Sequence, residues 1–329
     1  MKVCIIGASG HYGYALEGIH KRDGIQLAGI APGSKDERIG ELDRSVQAFQ
    51  PSVSQYEDYR IMLDELKPNI VVINSYFNDN ANITIEALER GIHVFVEKPV
   101  ATTYEDLERV EDTYRKSGVH LATMLGLRYE RHFFTAWKKV QEGGIGEVRL
   151  MNAQKSYKLG KRSRFYTKRE TYGGTIPWVG SHAIDWMHWM SGQKFQSVFA
   201  SHSTLYNHEH GDLEASALCH FTFSNQVFGS VNIDYFRPEQ APSHDDDRIR
   251  IAGTRGVIEV RGQKVYLIND EIEGVQELPL LSGGQIFDDF IGHVREEKKS
   301  LLSAEDSFLV TRACLKARES ADSQMVVYF

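Results

Sequence analysis

Near its N-terminus the chain reads "VCIIGASGHYG", an apolar run met at once by Gly7, Gly10 and Gly13 and then by the helical pattern "YALEGIHKR". Glycines at that junction mark a backbone that something must approach closely. Gly7 permits a tight turn, Gly10 lets an anion reach the chain, and Gly13 lets the helix lie close on the sheet. The N–H groups of the first helical turn then face the anion. The spacing is G-x-x-G-x-x-G, one residue longer at its start than the usual fingerprint. It fits the pyrophosphate of a dinucleotide; an ordinary turn is the alternative.

The next 110 or so residues decide in favour of a nucleotide fold. Apolar runs at 2–6, 25–30, 69–75, 92–97 and 119–124 alternate with amphipathic stretches at 57–67, 81–91 and 104–118. Unbroken apolar strands alternating with helices imply an α/β, doubly wound (Rossmann) parallel sheet covered on both faces. After a helix at 132–144, longer alternating segments follow at 146–156, 195–206, 213–224, 226–236, 248–253, 256–260 and 263–269. Their short connections predict a large, mostly antiparallel open sheet in an α+β domain. The expected division is 1–123 for the dinucleotide domain and 124–329 for substrate binding and oligomerisation.

A length of 329 residues is consistent with two domains. The net charge of -7 argues against a nucleic-acid partner. Cys4, Cys219 and Cys314 are scattered and odd in number, as expected of reduced thiols in a cytoplasmic protein. No run approaches the roughly 18 apolar residues of a membrane span, so no membrane partner is expected.

The second strand ends "AGIAPGSKDER", with Pro32 where the ribose-binding acid of an NAD site belongs. Ser34, Lys35 and Arg38 suit a 2′-phosphate instead. The cofactor expected is therefore NAD or NADP, with NADP slightly favoured.

"ALERGIHVFVEKP" sets Glu97 and Lys98 at the carboxyl end of a strand, where open α/β sheets bind ligands. Pro99 keeps Lys98 out of helical conformation. With "GASGHYG", "LRYERHFFTAWKKVQEGGIGEV" at 127–148, "GGTIPWVGSHAIDWMHWMSG" at 173–192 and "KARESA" near the end, the chain resembles the glucose–fructose oxidoreductase/inositol dehydrogenase (Gfo/Idh/MocA) family over its whole length. The resemblance implies an oxidoreductase moving a hydride between a nicotinamide and a secondary alcohol of a sugar, sugar acid or inositol-like polyol. It places the EKP lysine beside the nicotinamide, its bond to proline often cis. Cofactor contacts are then expected from Gly7, Ala8, Ser9, Gly10, His11, Tyr12, Gly13, Ser34, Ser75, Glu97 and Lys98.

In the helix ending near Gly192, His182 and Asp185 share a face. The resemblance gives His182 the hydroxyl proton, with Asp185 completing a catalytic set with Lys98. One position departs from the pattern. Many dehydrogenases of the family carry an aspartate four residues before that histidine, and here Trp178 stands there. Indole only donates a hydrogen bond and relays no proton. Trp178 and Tyr157 offer sugar-stacking faces or core filling. Arg128 is expected to shape the cleft, and Arg164, in the basic loop 155–169 with Lys161 and Arg162, suits an acidic sugar or a solvated surface.

His182, Asp185 and His188 do not converge on a regular helix, so no metal is expected. Two alternatives to net oxidation stay open: NAD-dependent glycoside cleavage through transient oxidation, and a non-catalytic dinucleotide-binding regulator. By resemblance, a homodimer or homotetramer is expected.

Overall fold

A computed structural model describes residues 1–329, which form two compact units. The first comprises Met1–Gly126, Glu170–Gly173 and Gln285–Thr311; the second comprises Leu127–Arg169, Gly174–Gly284 and Arg312–Phe329.

The first unit is built on a six-stranded sheet: β1 (Lys2–Ile6), β2 (Gln26–Ala31), β3 (Ser54–Gln55), β4 (Ile70–Ile73), β5 (His93–Val96) and β6 (Leu121–Thr123). All neighbours are parallel, in the order β3-β2-β1-β4-β5-β6. The order reverses between β1 and β4, so the loops after these strands open a crevice at the sheet's carboxyl edge. Val3, Ile5, Ile6, Ile70, Val71, Val72 and Ile73 are fully buried. At about 1.5–3 kcal/mol each, such side chains favour this sheet strongly. Thr103 Oγ1 accepts from the Asp106 amide and caps the helix Tyr104–Ser117, which Gly118 ends at φ +68°.

Three elements of this unit carry little sequence signal. β3 is two residues long, too short for any period. The helix Gly40–Phe49 precedes it. The helix Ile286–Val294 comes from the far end of the chain, and its Phe287 and Phe290 lie 5.1 and 5.5 Å from Phe95 on β5. Close packing of the first helix (Gly13–Lys21) is also not where the glycine spacing suggests. A Cβ at Gly13 would meet nothing within 4 Å, whereas one at Gly18 would lie 2.9 Å from Phe287. The helix leans on the late phenylalanine at its middle turn, so Gly18 has the packing role expected of Gly13.

The second unit holds nine strands: β7 (Val148–Tyr157), β8 (Phe195–Ser203), β9 (Ser216–Phe223), β10 (Val227–Asp234), β11 (Asp245–Gly253), β12 (Gly256–Arg261), β13 (Lys264–Asn269), β14 (Ile272–Glu277) and β15 (Val327–Tyr328). Their order is β14-β13-β12-β11-β7-β10-β9-β8-β15. Every pair is antiparallel except β7 with β10, which the β8–β9 excursion brings together in parallel. Burial alternates along β9 and β10, with Cys219, Phe221, Val231 and Ile233 inward. The helices Arg131–Gln141 and Ser181–Ser191 meet through stacked Phe133–Trp186 and Trp137–Trp189 pairs, 4.0 and 4.9 Å between centroids. Leu150, Phe199, Leu218 and Phe228 stay exposed on the outer face. Among the described residues, no helix is long and apolar enough to cross a membrane.

Candidate active site

In the first unit, the crevice is built by three strand ends. After β1, Gly7 adopts φ +79°, and a Cβ there would lie 2.6 Å from the Asn74 carbonyl. That approach is needed because the Ser9 amide donates to the same carbonyl at 2.7 Å. At Gly10 a Cβ would fall 2.5 Å from Glu97 Oε2 and 2.8 Å from Asn74 Oδ1. After β4, the side-chain carboxamide of Asn74 and the hydroxyl of Ser75 are buried with no protein partner. Buried polar groups cost free energy unless something bonds to them. Unpartnered donors and acceptors beside a glycine loop suit the phosphates of a dinucleotide.

After β5, Glu97 is fully buried. Its Oε2 accepts from the His11 amide at 2.6 Å and lies 2.6 Å from His11 Nδ1. Oε1 accepts from the Lys98 amide at 3.0 Å and stands 3.9 Å from Lys98 Nζ. Burial alone would raise this carboxyl, but the charges of His11 and Lys98 and the hydrogen bonds from His11 outweigh it and hold the pKa below the usual range. Lys98–Pro99 is cis, and Asn80 Nδ2 donates to the carbonyls of Glu97 and Pro99, both at 3.2 Å. Glycine loop, carboxylate and lysine thus form one braced unit.

A carboxylate that the strand-end position hides lies at this edge of the sheet. The Glu37 carboxylate accepts from the amides of Ala8 (3.0 Å), Gly33 (3.0 Å) and Ser34 (3.1 Å) and from the Ser9 hydroxyl (2.5 Å). Ser34, expected at a 2′-phosphate, instead accepts from the Tyr76 amide through its hydroxyl. Lys35 and Arg38 are exposed. The readable signal was the S-x-x-E spacing of Ser34 and Glu37, which favours a carboxylate folding back on backbone amides.

In the second unit, His182 occupies the first turn of the helix Ser181–Ser191 and is buried. Asp185, one turn on, accepts from Arg128: Nε to Oδ2 at 2.9 Å and Nη2 to Oδ1 at 2.5 Å. Arg128 is only 1% exposed. A guanidinium and carboxylate buried together in bidentate geometry lock the helix against the Gly126–Tyr129 turn. Trp178 is buried 4.5 Å from the Tyr166 ring, and Tyr157 stacks on His244 at 5.2 Å. The cysteines are buried, and burial pushes Cys4 and Cys219 up to about 12, unsuited to nucleophilic work.

Residues 1–124 match the model of the oxidoreductase family with an NAD-binding Rossmann fold, and 133–259 match the GFO/IDH/MocA C-terminal domain. The solved structure of a candidate oxidoreductase from Thermotoga maritima is 52% identical, covers 100% of both chains and superposes with a TM-score of 0.97. The chain belongs to the Gfo/Idh/MocA family. Curated relatives align over less. Glycosyl hydrolase family 109 protein 2 of Akkermansia muciniphila is 27% identical over 161 residues, 48% of this chain and 34% of that protein. Inositol 2-dehydrogenase of Salmonella typhimurium is 24% identical over 160 residues, 48% and 46% of the two chains. The match thus spans a third to a half of these relatives' length.

Against this Gfo/Idh/MocA frame, the structure gathers Gly7, Ala8, Ser9, Gly10, His11, Glu97 and Lys98 at one crevice, with Asn74 as an unforeseen member and Ser75 beside Gly33. It gives Arg128 and Asp185 to each other. Arg164 is exposed, and its neighbour Arg162 takes the position on the aromatic rings. A guanidinium two residues earlier reaches back because its carbonyl acceptor, Lys158, anchors the start of the loop.

Proposed function

We propose that this protein is an NAD-dependent dehydrogenase that oxidises a secondary alcohol of a sugar, sugar acid or inositol-like polyol. The observation that carries the reading is the His11–Glu97–Lys98 arrangement, in which a strand-end lysine is braced from the glycine loop itself. Bound at the loop, the dinucleotide supplies the hydride acceptor. The amides near Gly10 and the side chains of Asn74 and Ser75 hold its phosphates. Lys98 donates to the reacting hydroxyl, and its charge stabilises the developing alkoxide, worth about 3–4 kcal/mol for a well-placed donor. His182 accepts the hydroxyl proton. Asp185 and Arg128 fix the helix that carries His182, and Trp178 leaves that histidine without the aspartate many relatives have.

NAD is preferred over NADP because of Glu37. Its carboxylate gathers the amides at the ends of β1 and β2, where a 2′-phosphate would set like charges against each other. This favours the ribose diol. The apolar row Leu150, Phe199, Leu218 and Phe228 on the outer sheet face supports assembly into a homodimer or homotetramer. Three buried thiols suit a reducing cytoplasm.

The Akkermansia relative favours a second reading, cleavage of a glycoside with the cofactor regenerated in each cycle. The two separate in one assay. Protein titrated with NADH and NADPH by fluorescence is supplied with NAD and a panel of polyols, sugar acids and glycosides. Net absorbance growth at the reduced-nicotinamide band is expected; sugar release without it would favour the second reading, and neither would contradict both.

A further inference from the structure

The second unit holds a half-buried cation that forms no ion pair among the described residues. Arg162 lies half-buried in the loop after β7, its guanidinium carbon 5.2 Å from the Trp178 ring, 5.1 Å from Tyr235 and 5.9 Å from Tyr166. Among the described residues it makes one hydrogen bond, from Nη2 to the Lys158 carbonyl at 3.2 Å, and no ion pair. Its Nε is buried without a partner. A guanidinium carries five N–H donors in a fixed fork, and most of this fork is unspent.

Three nearby cations are committed, while Lys161 and Arg164 on the same loop are exposed to solvent. Lys155 is fully buried and pairs with Asp247; Arg169 pairs with Glu214 and Asp322; Lys158 Nζ donates to the carbonyls of Glu239 and Ala241 at 2.7 and 2.6 Å. Three rings hold the guanidinium in place and lower the local dielectric around it, which strengthens any charged hydrogen bond made there. Trp178 stands one helical turn before His182 on a continuous helical run, Ile176–Gly180 into Ser181–Ser191. The ring that seats the fork therefore sits one helical turn from the residue assigned the hydroxyl proton.

We propose that Arg162 is the carboxylate-binding group of the substrate site, so that the substrates are sugar acids, uronates or aldonates, rather than neutral polyols. This rests on the dehydrogenase reading for the identity of the reacting alcohol. A planar fork matches a carboxylate through two parallel hydrogen bonds. One half-buried, unpaired guanidinium suits a monoanion; a phosphate dianion would draw on a second cation, which only the exposed Lys161 or Arg164 could supply, and the sugar-phosphate arm of the test separates the two. The position left by the family's aspartate is occupied by Trp178, which instead seats the arginine. A ring in place of a carboxylate also removes the repulsion that an anionic substrate would meet there.

The test uses the full-length protein loaded with NADH and a panel of hexonates and hexuronates, each set against its neutral alditol or aldose, with the matching sugar phosphates as a third arm. Binding is read by calorimetry. At least one acid is expected to bind tenfold or more tighter than its neutral counterpart, and tighter than its phosphate. Arg162→Gln, which keeps the stem on the rings without the charge, is expected to abolish that preference at an unchanged melting temperature, and Arg162→Lys to keep part of it. Acids that bind no better than their neutral counterparts, a preference that survives in Arg162→Gln, or tighter binding of the phosphate would each overturn the proposal. Turnover is followed on the same panel with NAD. Charge-dependent binding without hydride transfer would support the subsite and defeat the dehydrogenase reading; oxidation confined to neutral polyols would do the reverse.

Discussion

Glu97 faces the Lys98 ammonium and the His11 ring at once, and its environment makes it an acid-sensitive part of the site. Its pKa in the folded chain lies below the ordinary value of about 4.3. A depressed carboxyl contributes stability above its unfolded pKa and loses it as pH falls through the folded value. The melting-temperature gap between the wild type and Glu97→Gln is therefore expected to be widest near neutrality and to close below about pH 4; calorimetry between pH 3 and 7 reads it, and a constant gap would contradict the assignment. Glu37 yields a second residue-scale expectation. Glu37→Gln keeps an oxygen acceptor for the loop amides but removes the charge, and the NADPH-to-NADH affinity ratio should rise at least tenfold, about 1.4 kcal/mol, in fluorescence titration. Glu97 and Lys98 were legible because a proline and a strand end frame them. Glu37 left only the S-x-x-E spacing as a signal, and its reach to the Ala8 amide, 29 positions away, has no local pattern.

The element that carries His182 is held by a buried ion pair beside its stacked tryptophans. Removing Arg128 takes the bidentate guanidinium away from the buried Asp185 carboxylate, a loss of about 3–5 kcal/mol. Arg128→Ala is expected to lower the urea midpoint accordingly, and Arg128→Met with Asp185→Leu to recover at least half of the loss; an undisturbed midpoint in the single variant would show the pair to be dispensable. Strands such as Ile70–Ile73 announced themselves by apolar runs buried on both faces, and the long segments of the second sheet by their alternation. What the pattern did not give was partnership. The parallel β7–β10 pair follows from chain reversal elsewhere, and "IFDDFIGHV" shows its apolar face but not the Phe95 that covers it. Likewise the His182–Asp185 spacing was readable, while Arg128 as the aspartate's partner lies 57 positions away.

At the scale of the whole molecule, the chain was legible as two folds in succession, a nucleotide sheet and a larger open one. The return of Gln285–Thr311 to the first unit was not, since no local pattern encodes a contact across most of the sequence. The outer face of the nine-stranded sheet yields an assembly expectation. Phe228 pairs across strands with Leu150 and is 43% exposed. Phe228→Glu would place charge in an apolar interface, and light scattering is expected to show monomers where the wild type shows dimers or tetramers; a wild type that is already monomeric would remove that role from this face.

The central claim is that a braced lysine beside a docked dinucleotide performs hydride chemistry with His182. The most direct measurement is turnover of the best substrate from the sugar and polyol panel by Lys98→Ala and by His182→Ala, with the NADH dissociation constant of each variant taken on the same preparations. Turnover should fall at least ~100-fold in both, the lower end of acid–base contributions, while NADH affinity stays within about threefold, roughly 0.7 kcal/mol. Wild-type turnover in either variant would contradict the account.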